Sequence, residues 1–219
     1  MKKDVVCIYS GGMDSFTLVN EAQHEGVLHS CLSFDYGQRH VKELQYAARW
    51  CESYGVPHHV IDLRSLTPHL LGSSLTDNVP MPEGHYAEDN MKLTVVPSRN
   101  TIMLAVASAY AVSHKLAAVR YGAHAGDHTI YPDCREEYVS AMNTVTLLAN
   151  WHRVRIEAPY LEMTKVGILE RGFELGLDYA QSWTCYKGGE LACGKCGSCQ
   201  ERLEAFAHWN EKDPLEYAV

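Results

Sequence analysis

One stretch limits the fold more than any other. Ser10-Gly11-Gly12-Met13-Asp14-Ser15 lies between the apolar, β-branched run Val5-Val6-Cys7-Ile8-Tyr9 and a helical stretch, Ser15 to Glu25, that Gly26 stops. A buried strand, a turn of small residues and a helix, in that order, make an anion site. The glycines permit a tight turn and a close backbone approach. The amides at the helix start then point at bound oxyanions, where the helix dipole favours negative charge. Ser10 and Ser15 add hydroxyl donors. Asp14 is out of place in a phosphate cradle unless a divalent cation bridges carboxylate and phosphate. The lysine of the G-x-x-x-x-G-K-[ST] loop is missing, which argues against a kinase or GTPase. Taken alone, Ser-Gly-Gly after a strand is equally a plain strand-to-helix turn capped by Ser or Asp.

The same alternation continues. Leu28 to Asp35 reads as a second strand, and Tyr36-Gly37-Gln38-Arg39-His40 as a polar turn. Val41 to Tyr54 reads as a helix with an apolar stripe at Val41, Leu44, Ala48 and Cys51, stopped by Gly55 and Pro57. His59 to Asp62 reads as a third strand. Strands alternating with helices predict parallel pairing and right-handed crossovers, with ligands at the carboxyl ends of the strands. Arg64 to Val96 has no clear period and holds Gly72-Ser73-Ser74, Pro80, Pro82 and Gly84; it is either a lid or substrate loop or a plain surface excursion. Asn100 to His114 is apolar nearly all round and predicts a buried helix, with Arg99 just before it facing a nucleotide or merely opening the helix. Ala118 to Gly122 is a further central strand.

Gly122 to Arg135 gathers His124, Asp127, His128, Tyr131, Asp133 and Arg135 after that strand. Binding residues belong there, although each of these types also serves in turns and caps. Helical signal resumes from Glu136 to Ala149. Thr164 caps a last predicted helix, Lys165 to Leu175, that Gly176 stops. Lys165 opposes the dipole at a helix start unless it faces an anion; the alternative is a solvated surface lysine.

At 219 residues the chain suits one α/β domain with a small appendage. The net charge of −8 argues against a surface made for nucleic-acid phosphates. No apolar run reaches membrane-spanning length, and Met1-Lys2-Lys3-Asp4 leads straight into a strand, so the cytoplasm is the expected location. Four of the eight cysteines are scattered, while Cys185, Cys193, Cys196 and Cys199 cluster. C-x₂-C-x₂-C with glycines in the knuckles suits one tetrahedral Zn²⁺ held by four thiolates. The x₃-C-P continuation of iron–sulfur ferredoxins is absent. A closed four-thiolate site fastens a segment and does no chemistry itself.

The hexapeptide Ser10 to Ser15 resembles the PP-loop of ATP pyrophosphatases, which cleave ATP to AMP and pyrophosphate. With Ser33-Phe34-Asp35-Tyr36-Gly37-Gln38-Arg39-His40, Tyr131-Pro132-Asp133-Cys134-Arg135, Thr184-Cys185-Tyr186 and the cysteine cluster in that order, nearly the whole chain resembles the QueC family of 7-cyano-7-deazaguanine synthases. The resemblance implies an adenine nucleotide alpha hydrolase-like α/β fold: a parallel five-stranded sheet flanked by helices. It implies a PP-loop domain over residues 1–180 and a zinc-binding segment over 181–219 packed on it. It implies ATP with Mg²⁺, 7-carboxy-7-deazaguanine and ammonia as reactants, release of AMP and pyrophosphate, and a homodimer. Carried onto this chain, Tyr9, Ser10, Gly11, Gly12, Met13, Asp14, Ser15, Phe16, Thr17, Leu18 and Val19 form the ATP-binding stretch. Asp14, Lys165 and Arg99 are the catalytic candidates. Asp127, Tyr131, Asp133 and Arg135 are the substrate-binding candidates, Arg135 opposing the substrate carboxylate or a phosphate. Many members carry C-E-T-D-F-S-G where this chain has Ala123-His124-Ala125-Gly126-Asp127-His128-Thr129-Ile130. That departure leaves an amide-forming ligase as the alternative product outcome; separately, a tRNA thiolase, which would need a sulfur-carrying cysteine near the nucleotide and a basic RNA-binding surface, is the alternative within the superfamily.

Overall fold

In β1 (Val5–Ile8) every second side chain goes to the same side: Val5 and Cys7 enter one core, Val6 the other. Such two-sided burial is the mark of a strand in the middle of a parallel sheet. The computed structural model describes residues 2–86 and 88–218. Four further strands complete one sheet: β2 (Leu28–Asp35), β3 (His58–Asp62), β4 (Ala118–Arg120) and β5 (Arg155–Glu157). Their order is β3-β2-β1-β4-β5, and every pairing is parallel. The chain winds outward from β1 to β3, then returns to the other side of β1. The carboxyl ends of β1 and β4 therefore flank the point where the winding reverses, the usual place for a ligand.

Two cores cover the faces of the sheet. One joins Val5, Cys7 and Tyr9 to α1 (Met13–His24), α2 (Lys42–Tyr54), α5 (Lys165–Glu174) and α6 (Gly197–His208). The other joins Val6, Leu32 and Phe34 to α3 (Arg99–Ser113) and α4 (Glu136–Ala149). Among the described residues no helix is long and apolar enough to cross a membrane.

Two helices differ from expectation. In α2 the buried positions are Ala47, Trp50 and Cys51, whereas Val41 and Ala48 are exposed. The inward face continues to Glu43, whose side chain is 12% exposed, so a carboxylate occupies a place that an apolar stripe would assign to a hydrophobe. In α3 burial is one-sided: Met103, Leu104, Ala107 and Ala111 are covered, while Thr101, Ala105 and Ala109 face out. Small outward residues make the helix look apolar all round although one of its faces is solvated. The segment from 64 to 96 includes short 3₁₀ turns at Thr67–His69 and Asp89–Thr94 and is partly buried through Ser73, Ser74, Leu75, Met91 and Thr94. It is tied to the cysteine-rich tail by the bridge Glu83↔Cys196 and by Gly84 N–H donating to Lys195 O, 3.2 Å.

The tail is held from inside. Arg202 on α6 is fully buried, and its guanidinium takes both carboxylate oxygens of Asp213 at 2.8 and 2.9 Å. It also donates to Ser182 Oγ at 2.8 Å and Tyr179 O at 3.0 Å. A buried guanidinium with this many acceptors is satisfied rather than stranded.

Candidate active site

The loop after β1 is built by close approach. Gly11 has φ +94°, and a Cβ there would lie 2.1 Å from the carbonyl oxygen of Glu43. Only glycine admits both the backbone angle and the contact with α2. Gly12 precedes α1 without any side-chain cap, which leaves the first-turn amides of the helix for a ligand. Ser10 Oγ accepts from Gly12 N–H at 3.1 Å and shares a hydrogen bond with Ser15 Oγ at 3.0 Å. From the far end of the chain, Trp183 N–H donates to Gly11 O at 2.9 Å. Gly122, two residues past β4, lies against the loop: a Cβ there would stand 3.4 Å from Ser15 N and 3.5 Å from Asp14 Cβ, ordinary packing contact.

A cavity of about 210 Å³ opens above this loop. One corner is charged. Lys165 Nζ lies 2.8 and 2.6 Å from the two oxygens of Asp14 and 3.1 Å from Glu201 Oε2. Burial would raise the Asp14 carboxyl, but the Lys165 ammonium, and beyond it His124, holds it below the ordinary carboxylate range. Burial likewise works against the Lys165 charge, and Asp14 and Glu201 overcome it. His124 Nε2 stands 3.5 Å from Asp127 Oδ2 and 3.8 Å from Asp14 Oδ2.

The other corner is aromatic and neutralised. Arg99 donates to the Tyr36 hydroxyl at 3.4 Å, and its guanidinium carbon lies 5.9 Å from the ring centres of Tyr36 and Tyr131. His40 Nε2 is 3.4 Å from Glu43 Oε1. Burial lowers His40 to about 3, with Arg99 acting in the same direction. Burial also raises Glu43 to about 8, against the opposing pull of Arg99 and of the Gln38 hydrogen bond. Near pH 6 that contact therefore joins two neutral groups.

Of the residues singled out in the sequence, Tyr9, Ser10, Gly12, Met13, Asp14 and Ser15 line the cavity, as do Arg99, Asp127, Tyr131 and Lys165. Gly11 makes the turn. Phe16, Thr17, Leu18 and Val19 are buried on α1 and hold the loop from below. Asp133 and Arg135 are not brought to the cavity. Asp133 Oδ2 accepts from Asn100 N–H at 3.3 Å and so caps α3. Arg135 is exposed and its Nε donates to His128 O at 2.8 Å. Both serve turns and caps in a segment rich in such residues.

Sequence reasoning missed Tyr36, His40, Glu43, Tyr186 and Glu201. The first two belong to the stretch read as a polar turn, yet Gln38 and His40 are each only 4% exposed. Glu201 comes from α6, two residues past the last clustered cysteine, and no local pattern points to it. Cys134 also lines the cavity, but burial raises its thiol far above the ordinary range, which leaves it a poor nucleophile.

The four clustered cysteines place their sulfurs within 4.8 Å of one another. Tetrahedral thiolates on zinc stand roughly 3.8 Å apart, so the donor set fits Zn²⁺. Backbone amides of Cys193, Lys195 and Cys196 donate to the sulfurs of Cys185 and Cys193 at 3.3–3.4 Å, which stabilises thiolate charge. This zinc-binding knuckle carries Trp183, Thr184, Tyr186 and Ser198 into the cavity wall.

Comparison with known proteins agrees with this geometry. Residues 4–210 match the family described as queuosine biosynthesis protein QueC. The chain is 58% identical over 217 residues to the 7-cyano-7-deazaguanine synthase of Pseudoalteromonas translucida, covering 99% of this chain and 100% of that one. It is 58% identical over 212 residues to the synthase of Hahella chejuensis, covering 97% and 92%. Among solved structures, NMN synthetase from Francisella tularensis aligns with a TM-score of 0.53 at 13% identity, over 96% of this chain and 79% of that one, a likeness of fold alone.

Proposed function

Because the chain belongs to the queuosine biosynthesis protein QueC family, we propose that it converts 7-carboxy-7-deazaguanine and ammonia to 7-cyano-7-deazaguanine, using two ATP and releasing AMP and pyrophosphate. The observation that carries this reading is a single cavity in which an uncapped helix start, the Asp14–Lys165 pair and an arginine–tyrosine cluster face one another. The chemistry explains why all three are needed. A carboxylate is a poor electrophile until AMP is placed on its oxygen. Ammonia then displaces AMP and gives the amide. Nitrile formation removes the remaining oxygen, so the amide oxygen must be adenylated in turn.

The first-turn amides of α1 and Ser10 hold the pyrophosphate as it leaves. Asp14 serves as the carboxylate for the Mg²⁺ that arrives with ATP, and Lys165 neutralises phosphate charge. Asp127 accepts from the guanine-like N–H edge, and Tyr131 and Arg99 cover the ring. Asp133 acts through the start of α3, which carries Arg99. The division into a PP-loop domain over 1–180 and a zinc segment over 181–219 belongs to this reading, supported by the Arg202–Asp213 anchor. So do a cytoplasmic location and a homodimer, which sedimentation would check.

The test is product mass spectrometry. With ATP, Mg²⁺ and ammonia, 7-carboxy-7-deazaguanine gives the nitrile, and synthetic 7-amido-7-deazaguanine is accepted in its place. An enzyme active on the carboxylate that leaves the amide untouched is an amide-forming ligase instead. Asp14→Ala, while folded, should lose pyrophosphate release by about 10²–10³-fold.

A further inference from the structure

We propose that Arg99 selects the acid: its guanidinium holds the 7-carboxylate of the substrate and so distinguishes it from the amide that replaces it. The proposal rests on the synthase reading. Four arginines of the chain are not exposed: Arg99, Arg120, Arg171 and Arg202. Three of them grip carboxylates at 2.6–2.9 Å. Arg120 holds Glu25 and Glu157, Arg171 holds Glu21 and Glu174, and Arg202 holds Asp213. Arg99 holds none. Among the described residues no carboxylate oxygen comes within 4.0 Å of its nitrogens, and its one hydrogen bond goes to the neutral Tyr36 hydroxyl at 3.4 Å. A sheltered charge without a counter-charge is costly, and folded chains pair such groups. This guanidinium lines the cavity, so the anion it lacks is one that a ligand brings.

Its place in the chain points the same way. Arg99 is the first residue of α3, where the helix dipole repels a cation and attracts an anion. Ser98 before it takes φ +52°, a left-handed angle that strains a residue with a Cβ, and its hydroxyl caps nothing. Arg135, the other arginine of the substrate-side segment, is exposed and donates to His128 O, so it does not compete for the role.

The surroundings decide which anion. Polyphosphate has donors of its own in the uncapped start of α1, Ser10 and Lys165. Around Arg99 the wall is aromatic instead. The ring centres of Tyr36 and Tyr131 lie 5.9 Å from the guanidinium carbon, and Tyr131 already shares its hydroxyl with Thr94 Oγ1 at 2.6 Å. Flat uncharged faces suit a planar heterocycle, and a guanidinium beside that ring meets the group the ring carries. A carboxylate matches the guanidinium fork with two parallel charge-assisted hydrogen bonds, whereas an amide offers it one neutral oxygen. The contact therefore weakens once the acid has become the amide. The intermediate is then kept by its ring rather than by its 7-substituent.

The experiment is calorimetric. It uses the zinc-loaded full chain with Mg²⁺ and an ATP analogue whose α–β bridge is carbon, so that nothing turns over. 7-Carboxy-7-deazaguanine and synthetic 7-amido-7-deazaguanine are titrated into the parent and into Arg99→Gln. The substitution should weaken the acid about 100-fold, the amide less than about fivefold and the analogue itself less than about twofold. A loss for the acid no larger than for the amide makes Arg99 a ring contact. A loss for the analogue as large as for the acid makes it a phosphate contact. Either result overturns the proposal, as does an unchanged affinity for the acid. If Arg99→Gln does not fold by circular dichroism, Arg99→Lys, which keeps the charge and loses the fork, is titrated instead. A larger loss for the acid than for the amide supports the proposal, and equal losses or none overturn it. Failure of the synthase reading looks different: the parent itself then binds neither deazaguanine.

Discussion

The two corners of the cavity are buried alike and solve burial in opposite ways. At Asp14 and Lys165 the charges are kept because the two groups pair at 2.6 Å, while Glu201, 3.1 Å from the same ammonium, is still raised by burial. At His40 and Glu43 the partners are weak acids and bases themselves, and the charges are given up. Burial opposes charge in both places; what differs is that Asp14 and Lys165 stand close enough to each other to overcome it. The charged corner suits polyphosphate, whose charge never disappears. The neutral corner suits chemistry in which protons change hands.

Zinc removal should blur this contrast most, because α6 supplies Glu201 to one corner and the knuckle supplies Tyr186 beside the other. Purified protein should hold about one zinc per chain. Cys193→Ser should lower metal content and thermal stability together, because metal binding at such a site is coupled to folding. Zinc analysis alongside thermal unfolding checks both.

Lys165→Met breaks the charged corner alone. It leaves Asp14 and Glu201 facing each other without a cation, which costs about 3–5 kcal/mol for a buried pair losing one partner. Pyrophosphate release should fall by about 10³-fold. Part of the lost stability should return in mild acid, where the two carboxyls protonate; thermal melts across pH read this.

The neutral corner has the reverse signature. His40 is depressed from 6.5 to about 3, so the folded state binds fewer protons than the unfolded state between those values. The stability from neutral His40 is full above pH 6.5 and is lost as pH falls toward 3. Glu43 is raised from 4.5 to about 8, so the folded state binds more protons there, and stability declines as pH rises through that window. Each slope is worth roughly a few kcal/mol at its limit. His40→Asn should flatten the acid side and Glu43→Gln the alkaline side in denaturant titrations of the unliganded protein. The smallest effect belongs outside both corners. Arg135→Ala should change turnover less than about twofold, within the range of an exposed side chain away from the site.

The parts legible in the sequence are those whose cause is local. A turn of small residues between a strand and a helix, and thiols two residues apart, carry their geometry in their spacing. Glu43 could not be found that way, because a carboxylate on the inward face of α2 imitates a solvated position until the helix is placed. Asp133 and Arg135 misled for the complementary reason. Between a strand and a helix, polar residues are needed for capping whether or not a ligand is near. Glu201 is joined to Lys165 only by the docking of α6, a contact with no trace in either local pattern.

The hydrogen bond from Trp183 to Gly11 also has a consequence in time. The sheet is complete at β5, and the loop at residues 10–15 is among the first parts of the chain made. Its wall is among the last. The first 180 residues contain every strand, yet they lack Trp183, Thr184, Tyr186 and Ser198 around the nucleotide loop. Translation therefore supplies every strand well before it supplies the whole site. A prematurely stopped product lacks that wall and, with it, Ala205 and Phe206 of the core on one face of the sheet.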